Sequence, residues 1–219
     1  MRDLFDTFPP EKEKVAEKVA LGADAVVLRR LACDIEAELL AALRAVTALA
    51  PFRNMVTPGG HTMSVAMTNC GAYGWVSDTR SYRYSPTDPD TGFPWPAMPP
   101  VFAELARGAA DALGFHGFIP DACLVNCYVP DARLTLHQDK DERDFDAPIV
   151  SVSLGVPAVF LFGGVKRKDR PQRVPLEHGD VVVWGGAARL RYHGVAKLEE
   201  SSHSFAGDAR INLTLRRAR

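Results

Sequence analysis

Ile149-Val-Ser-Val-Ser-Leu-Gly-Val-Pro-Ala158-Val-Phe-Leu-Phe162 is the stretch on which the fold turns. Two short runs, Ile149–Leu154 and Ala158–Phe162, are rich in β-branched and aromatic residues, and Gly155, Val156 and Pro157 separate them. Each run is too short for a helix, and the glycine and proline break the chain between them, so the pair predicts two strands. The same texture continues outward in both directions. Leu124–Tyr128, Arg133–Asp139, Val181–Trp184, Leu190–Val195 and Arg210–Leu215 are all short, apolar or alternating, and bounded by turn residues. Seven or eight such strands with no helix between them predict a β-sandwich or jelly roll over 122–216.

The N-terminal half reads differently. Asp34 is placed to cap a helix running to about Ala50, with Leu39, Leu40, Leu43 and Val46 on one face and Pro51 stopping it. A second helix is expected from Pro100 to Leu113, with Gly114 just past its end. Between them, Thr57–Ser85 carries glycines and the aromatic cluster Trp75, Tyr82 and Tyr84. Six prolines between Pro86 and Pro100 then make a stiff segment, so 51–100 reads as a lid. Residues 1–18 read as a polar lead-in.

Lys+Arg 26 against Asp+Glu 27, with 47% hydrophobic residues in a chain of 219, excludes a disordered chain and a polycation. Any nucleic-acid contact must therefore use local patches. Glycine, serine and proline interrupt Val150–Val165, the longest apolar region, so no membrane span is expected. The first 18 residues lack a signal-peptide core, which predicts a cytoplasmic address. Cys33, Cys70, Cys123 and Cys127 form no CxxC pair and read as reduced, partly buried thiols.

Three constellations carry chemistry. In Arg210-Ile-Asn-Leu-Thr-Leu-Arg216 a strand would put Arg210, Asn212, Thr214 and Arg216 on one face. Taken alone, that row suits the solvated outer face of an edge strand. The functional alternative is a slot for a small dianion gripped by two arginine forks. In His137-Gln-Asp139 an imidazole and a carboxylate share a strand face, and His193 on another strand completes the 2-His-1-carboxylate pattern of non-haem Fe(II) oxygenases. The second His-x-Asp, His178-Gly-Asp180, reads as a turn entering a strand. His61, His116 and His203 read as surface or loop histidines. Third, Trp75, Tyr82 and Tyr84 interleaved with Arg80 and Arg83 suit an unstacked base, or alternatively the core of a small subdomain. The basic run Lys166–Arg170 is expected at a hairpin tip, either solvated or tracking phosphates.

Together with Pro51-Phe-Arg-Asn-Met-Val-Thr-Pro-Gly-Gly60, Met63-Ser-Val-Ala-Met-Thr-Asn-Cys-Gly71, Pro94-Trp-Pro-Ala-Met-Pro99, Leu136-His-Gln-Asp-Lys-Asp-Glu142 and Glu177-His-Gly-Asp-Val-Val-Val-Trp-Gly-Gly186, these features resemble the AlkB family of Fe(II)- and 2-oxoglutarate-dependent nucleic-acid dealkylases, most nearly its bacterial repair proteins. The resemblance implies an α+β, mainly β, double-stranded β-helix with N-terminal helices and a nucleotide-recognition lid. It implies His137, Asp139 and His193 as iron ligands. It assigns Arg210 and Arg216, helped by Asn126, Tyr128 and Asn212, to 2-oxoglutarate. It places Trp75 on the damaged base with His137 near the other face, Asp141 beside the base, and Tyr82 and Arg167 at the nucleic-acid backbone or base surround. The implied activity is oxidative demethylation of 1-methyladenine and 3-methylcytosine with Fe(II), 2-oxoglutarate and O2, releasing formaldehyde, succinate and CO2. The substrate is expected to be alkylated single- or double-stranded DNA, with RNA left open, and the protein to be a monomer. Two rivals remain. One is an Fe(II)/2-oxoglutarate hydroxylase acting on a protein or small molecule. The other is a nucleic-acid-binding module with a structural metal. The roles of Arg191, of Leu161 and of the segment Glu199–Asp208 stay open.

Overall fold

The computed structural model describes residues 16–219. Most of the expected lead-in lies outside that range, and its last residue, Lys18, already opens a strand. Eight strands form the larger sheet, in the order β1 (Lys18–Gly22), β2 (Ala25–Leu28), β12 (Val181–Trp184), β9 (Ile149–Gly155), β14 (Arg210–Arg216), β7 (Ala122–Tyr128), β4 (Thr62–Gly71) and β3 (Arg53–Val56). Four form the smaller sheet, in the order β11 (Gln172–Leu176), β10 (Ala158–Phe162), β13 (His193–Val195) and β8 (Leu134–His137). A separate hairpin pairs β5 (Gly74–Ser77) with β6 (Tyr82–Ser85). The eight strands beyond residue 122 are the jelly roll the sequence predicts. Its β11 has Pro175, which the ladder tolerates because β11 is an edge strand.

Helices α1 (Glu36–Leu49) and α2 (Pro100–Asp111) cover the outer face of the larger sheet. Leu39, Leu43, Val46, Phe102 and Leu105 pack there on Val150, Val152, Val183, Ile211 and Leu213. Leu40 is only half-buried. The expected Asp34 cap does not form: Asp34 lies in a 3-10 turn before α1, and no side chain caps the helix. The inner face carries the alternate residues. Ile149, Val182 and Trp184 meet Phe160 and Phe162 at one end, and Met67, Leu124 and Tyr128 meet Val195 at the other.

Two boundaries differ from the sequence reading. Strands β3 and β4 belong to the larger sheet, so only the β5–β6 hairpin and the proline-rich loop of 51–100 stand off it. Arg53 anchors that loop by pairing with Asp88 and Asp90. Likewise Leu190, Arg191 and Tyr192 precede β13 instead of belonging to it.

His178-Gly-Asp180 is the turn expected. Gly179 has φ +84°, and a Cβ there would strike the Cys33 Sγ. Asp180 is 1% exposed, pairs with Arg29, and accepts from the amides of Arg30 (3.0 Å) and Glu177 (2.9 Å). Asp180→Ala strands those donors and is expected to cost roughly 2–3 kcal/mol in urea denaturation, below a fully buried pair because Arg29 is partly solvated. His203 is not the unpartnered loop histidine the sequence suggested. It stacks on His178 at 4.4 Å, and its neighbours Phe205 and Ala206 pack into the helix-side core. Phe205 and Ala206 therefore lie on the helix side of the larger sheet, away from the cavity described next. All four cysteines are free. Cys70 and Cys123 face each other, buried, across β4 and β7, and burial pushes the Cys123 thiol up.

Candidate active site

Between the sheets lies a cavity of about 430 Å³, and all twelve site residues singled out in the sequence line it. Its floor is β14. This strand is not an edge strand: β9 and β7 pair on either side of it, and every residue from Arg210 to Arg216 is buried. The solvated-row reading therefore fails. The polar row points into the cavity because Ile211, Leu213 and Leu215 occupy the helix-side core.

Antiparallel register supplies the rest of the floor. Tyr128 lies opposite Arg210, and Asn126 opposite Asn212. Asn126 Nδ2 donates to Asn212 Oδ1 (3.2 Å), Thr214 Oγ1 donates to the same oxygen (2.9 Å), and Asn212 Nδ2 donates to Ser151 Oγ (2.8 Å). Arg210, 1% exposed, spends Nη2 on Ser153 Oγ (2.9 Å) and lies 5.0 Å from the Tyr128 ring. Its Nε and Nη1 have no partner among the described residues. A buried guanidinium with two orphan donors calls for an anion. Arg216 differs. Its Nη2 and Nε lie 2.6 and 2.8 Å from Asp139 Oδ2, and its Nε 3.4 Å from Glu142 Oε1. The two arginines expected to act alike are thus one free cation and one paired cation.

His137 and His193 face each other in the β8–β13 ladder, ring centroids 4.4 Å apart. Each Nδ1 meets a backbone carbonyl, Thr135 O at 2.9 Å and Arg191 O at 3.1 Å. A carbonyl only accepts, so each Nδ1 carries a proton and each Nε2 is the nitrogen turned inward. Asp139 Oδ1 is 3.6 Å from His137 Nε2, and Oδ2 is 3.6 Å from His193 Nε2. Burial, then the neighbouring His193, push His137 down to about 4, so it is neutral near pH 7. Burial alone would raise Asp139, but Arg216 and then His193 outweigh it and hold the carboxyl well below its usual range. Two histidine nitrogens and one carboxylate, with ligand atoms within 4.8 Å of one another, would hold a single ferrous ion. Asp139 does not get there by strand alternation, as the sequence reading had it: β8 ends at His137.

At the mouth, Trp75 and Tyr82 stack at 5.6 Å and 14°, and Trp75 Nε1 donates to Asp141 Oδ2 (2.9 Å). Arg167 lines the cavity and lies 6.0 Å from the Tyr192 ring. The β10–β11 hairpin carries it, as the basic run suggested. Arg80 and Arg83 instead pair with Asp78, Arg80 from an exposed position, and Tyr84 is buried, so the core reading holds for Tyr84. Arg191 stacks 4.1 Å from Phe162 and donates to Gly163 O and Leu21 O, a packing role.

The 2OG-Fe(II) oxygenase superfamily model matches residues 24–216. The chain is 55% identical to the alpha-ketoglutarate-dependent dioxygenase AlkB of Escherichia coli (strain K12), over 100% of this chain and 98% of that protein. The chain belongs to the AlkB branch of the 2OG-Fe(II) oxygenases. It is also 34% identical to the nucleic acid dioxygenase ALKBH1 of Mus musculus, over 58% of this chain and 30% of that protein. The solved structure of OsALKBH1 superposes with a TM-score of 0.81 at 29% identity, covering 92% of this chain and 100% of that one. As a 2OG-Fe(II) oxygenase the protein is an Fe(II)/2-oxoglutarate-dependent dioxygenase using O2, and its mainly β fold is that of the family. The sequence reading gave no role to Glu142, Trp184 or Arg189 around the site, and it took Tyr84 with the lid aromatics, not as the partner of Glu142. Trp184 and Phe160 line the cavity wall, a place their β-strand alternation could have signalled.

Proposed function

We propose that this dioxygenase repairs DNA by oxidative demethylation of 1-methyladenine and 3-methylcytosine, with formaldehyde as co-product. The observation that carries the reading is the Trp75–Asp141 contact at the mouth of the cavity that holds His137, Asp139 and His193. Aromatic faces beside a carboxylate suit a planar, cationic ring. Methylation at adenine N1 or cytosine N3 makes the base such a ring, and the undamaged base is neutral, so Asp141 discriminates by charge. Methylation of the pairing edge also weakens the base pair and lowers the cost of extruding the base.

Bound at the three ligands, iron with 2-oxoglutarate and O2 supplies the oxidation of the methyl group. The chain does the rest. Arg210 takes the distal carboxylate of 2-oxoglutarate on Nε and Nη1, with Tyr128, Asn126 and Asn212 completing the slot. Arg216 steadies Asp139 and lies beside the other end of the co-substrate. Trp75 holds the base flat, His137 limits its other face, and Tyr82 and Arg167 hold the strand. The apolar walls, Phe160 and Trp184 among them, keep water from the reacting carbon. The chain acts as a single monomeric domain in the cytoplasm, with the β5–β6 hairpin and proline-rich loop as the nucleotide-recognition lid. No helix among the described residues is long and apolar enough to cross a membrane.

The test is formaldehyde release from a single-stranded oligonucleotide carrying one 1-methyladenine, with Fe(II), 2-oxoglutarate and ascorbate each omitted in turn. Release that needs both iron and 2-oxoglutarate is expected. Consumption of 2-oxoglutarate without release would move the substrate to a protein or small molecule. Asp141→Asn is expected to lower kcat/KM on 1-methyladenine about 10- to 100-fold, the scale of one screened charge contact. A neutral N-methylated base such as 1-methylguanine should lose far less. Equal losses on both would remove the charge argument.

A further inference from the structure

The β8–β13 ladder sets His137 against His193 but stops short of Asp139, so something outside the ladder must fix the third ligand. Asp139 lies in the irregular stretch between β8 and β9, together with Asp141. Arg216 holds the Asp139 carboxylate, and a second buried arginine holds the backbone of that stretch. Arg189, 3% exposed, donates from Nη1 to Asp139 O (2.8 Å) and from Nε to Ala147 O (3.1 Å). Its Nη2 lies 3.2 Å from Glu142 Oε2, and its guanidinium 5.4 Å from the Phe145 ring. Glu142 is buried too, and its Oε1 accepts from Tyr84 OH (2.7 Å).

Arg189 stands four residues before His193 in the same connection. The guanidinium is a flat, rigid fork, so two carbonyls bound at once, at Asp139 and Ala147, fix both the position and the direction of the Asp139 peptide. A buried cation needs a buried counter-charge, and Glu142 supplies it.

We infer that Arg189, with Glu142 as its counter-ion, is the positioning residue for Asp139 and for the base-facing Asp141, tying the segment that carries His193 to the segment that carries the other two. The inference rests on the metal-site reading above. The two are separated by measuring Mn(II) affinity on protein purified without metal, alongside near-UV circular dichroism. Wild type should bind Mn(II) and His137→Ala should not; if wild type does not bind, the metal reading falls and takes the inference with it. Arg189→Lys keeps the charge but not the fork. It is expected to keep the near-UV spectrum while binding Mn(II) about 10- to 100-fold more weakly, the range seen when outer partners of metal ligands are lost. A merely structural role would lower the melting temperature and leave the Mn(II) affinity of the folded protein unchanged. Native circular dichroism with wild-type affinity overturns the inference. If Arg189→Lys does not fold, Glu142→Gln decides it. That variant keeps the shape and an acceptor for Tyr84 but withdraws the counter-charge, and unchanged Mn(II) affinity there overturns the inference equally.

Discussion

Asp139→Asn is expected to bring turnover below detection and to weaken Mn(II) binding by more than about 100-fold, beyond what losing an outer partner costs. The reason is geometric and electrostatic together. Asp139 offers one oxygen towards each histidine, at 3.6 Å in both cases, and is the one anion in the set. Asparagine keeps the volume but presents an N–H where a cation requires an acceptor. The same change removes the negative charge that Arg216 pairs with and leaves Glu142, at 3.4 Å, as its counter-ion. The variant should therefore also lose about 3 kcal/mol in urea denaturation, the cost of breaking a buried pair from one side. Oligonucleotide binding should be little changed, because Trp75, Tyr82 and Arg167 keep their places; its loss together with turnover would point to a collapsed fold and not to a missing ligand.

Arg210→Met should have the opposite effect on the protein without co-substrate. Arg210 is a buried cation with two donors unanswered among the described residues, and burial already pushes its pKa down. Replacing it with an apolar side chain of similar length relieves that cost, so stability without 2-oxoglutarate should hold or rise. Co-substrate binding should fall about 100- to 4000-fold, since a desolvated charge pair lost from one side costs roughly 3–5 kcal/mol. Thermal unfolding reads both effects at once. At 100 times its dissociation constant, 2-oxoglutarate stabilises the wild type by about 2.7 kcal/mol, which for a chain of this size raises Tm by roughly 5–10 °C. Arg210→Met should show almost no shift at the same concentration. A full shift in the variant would mean that the dianion is held elsewhere.

The sequence was legible where a period of two governs. Alternation along β14 put Arg210, Asn212, Thr214 and Arg216 on one face and Ile211, Leu213 and Leu215 on the other, as the structure has them. It was less legible where neighbours in space decide. Whether that polar row met solvent or a cavity depended on β9 and β7, which local pattern does not place. Glycines and aromatics made Thr57–Ser85 look like one lid, although the alternation of Val65, Met67 and Asn69 already belonged to a strand of the larger sheet. Asp139 had the right residue type for a reason that does not hold, because its strand ends two residues earlier. Arg189 and Glu142 left no local signal: they meet across tens of residues of chain, and each alone reads as an ordinary loop residue, while Tyr84 stood out among the lid aromatics but not as the partner of Glu142.

The place of β14 also bears on how the protein reaches its native state. It is the last strand in the described order, yet it lies in the middle of the larger sheet, joining β7 to β9. Each partner is separated from it by more than fifty residues, from Gly155 on one side and from Tyr128 on the other. Closing such long loops comes before any reward from the contacts they bring, so this insertion belongs among the slow steps of folding. Until it happens, β7 and β9 are open edges, and the chain is exposed to pairing with the wrong partner.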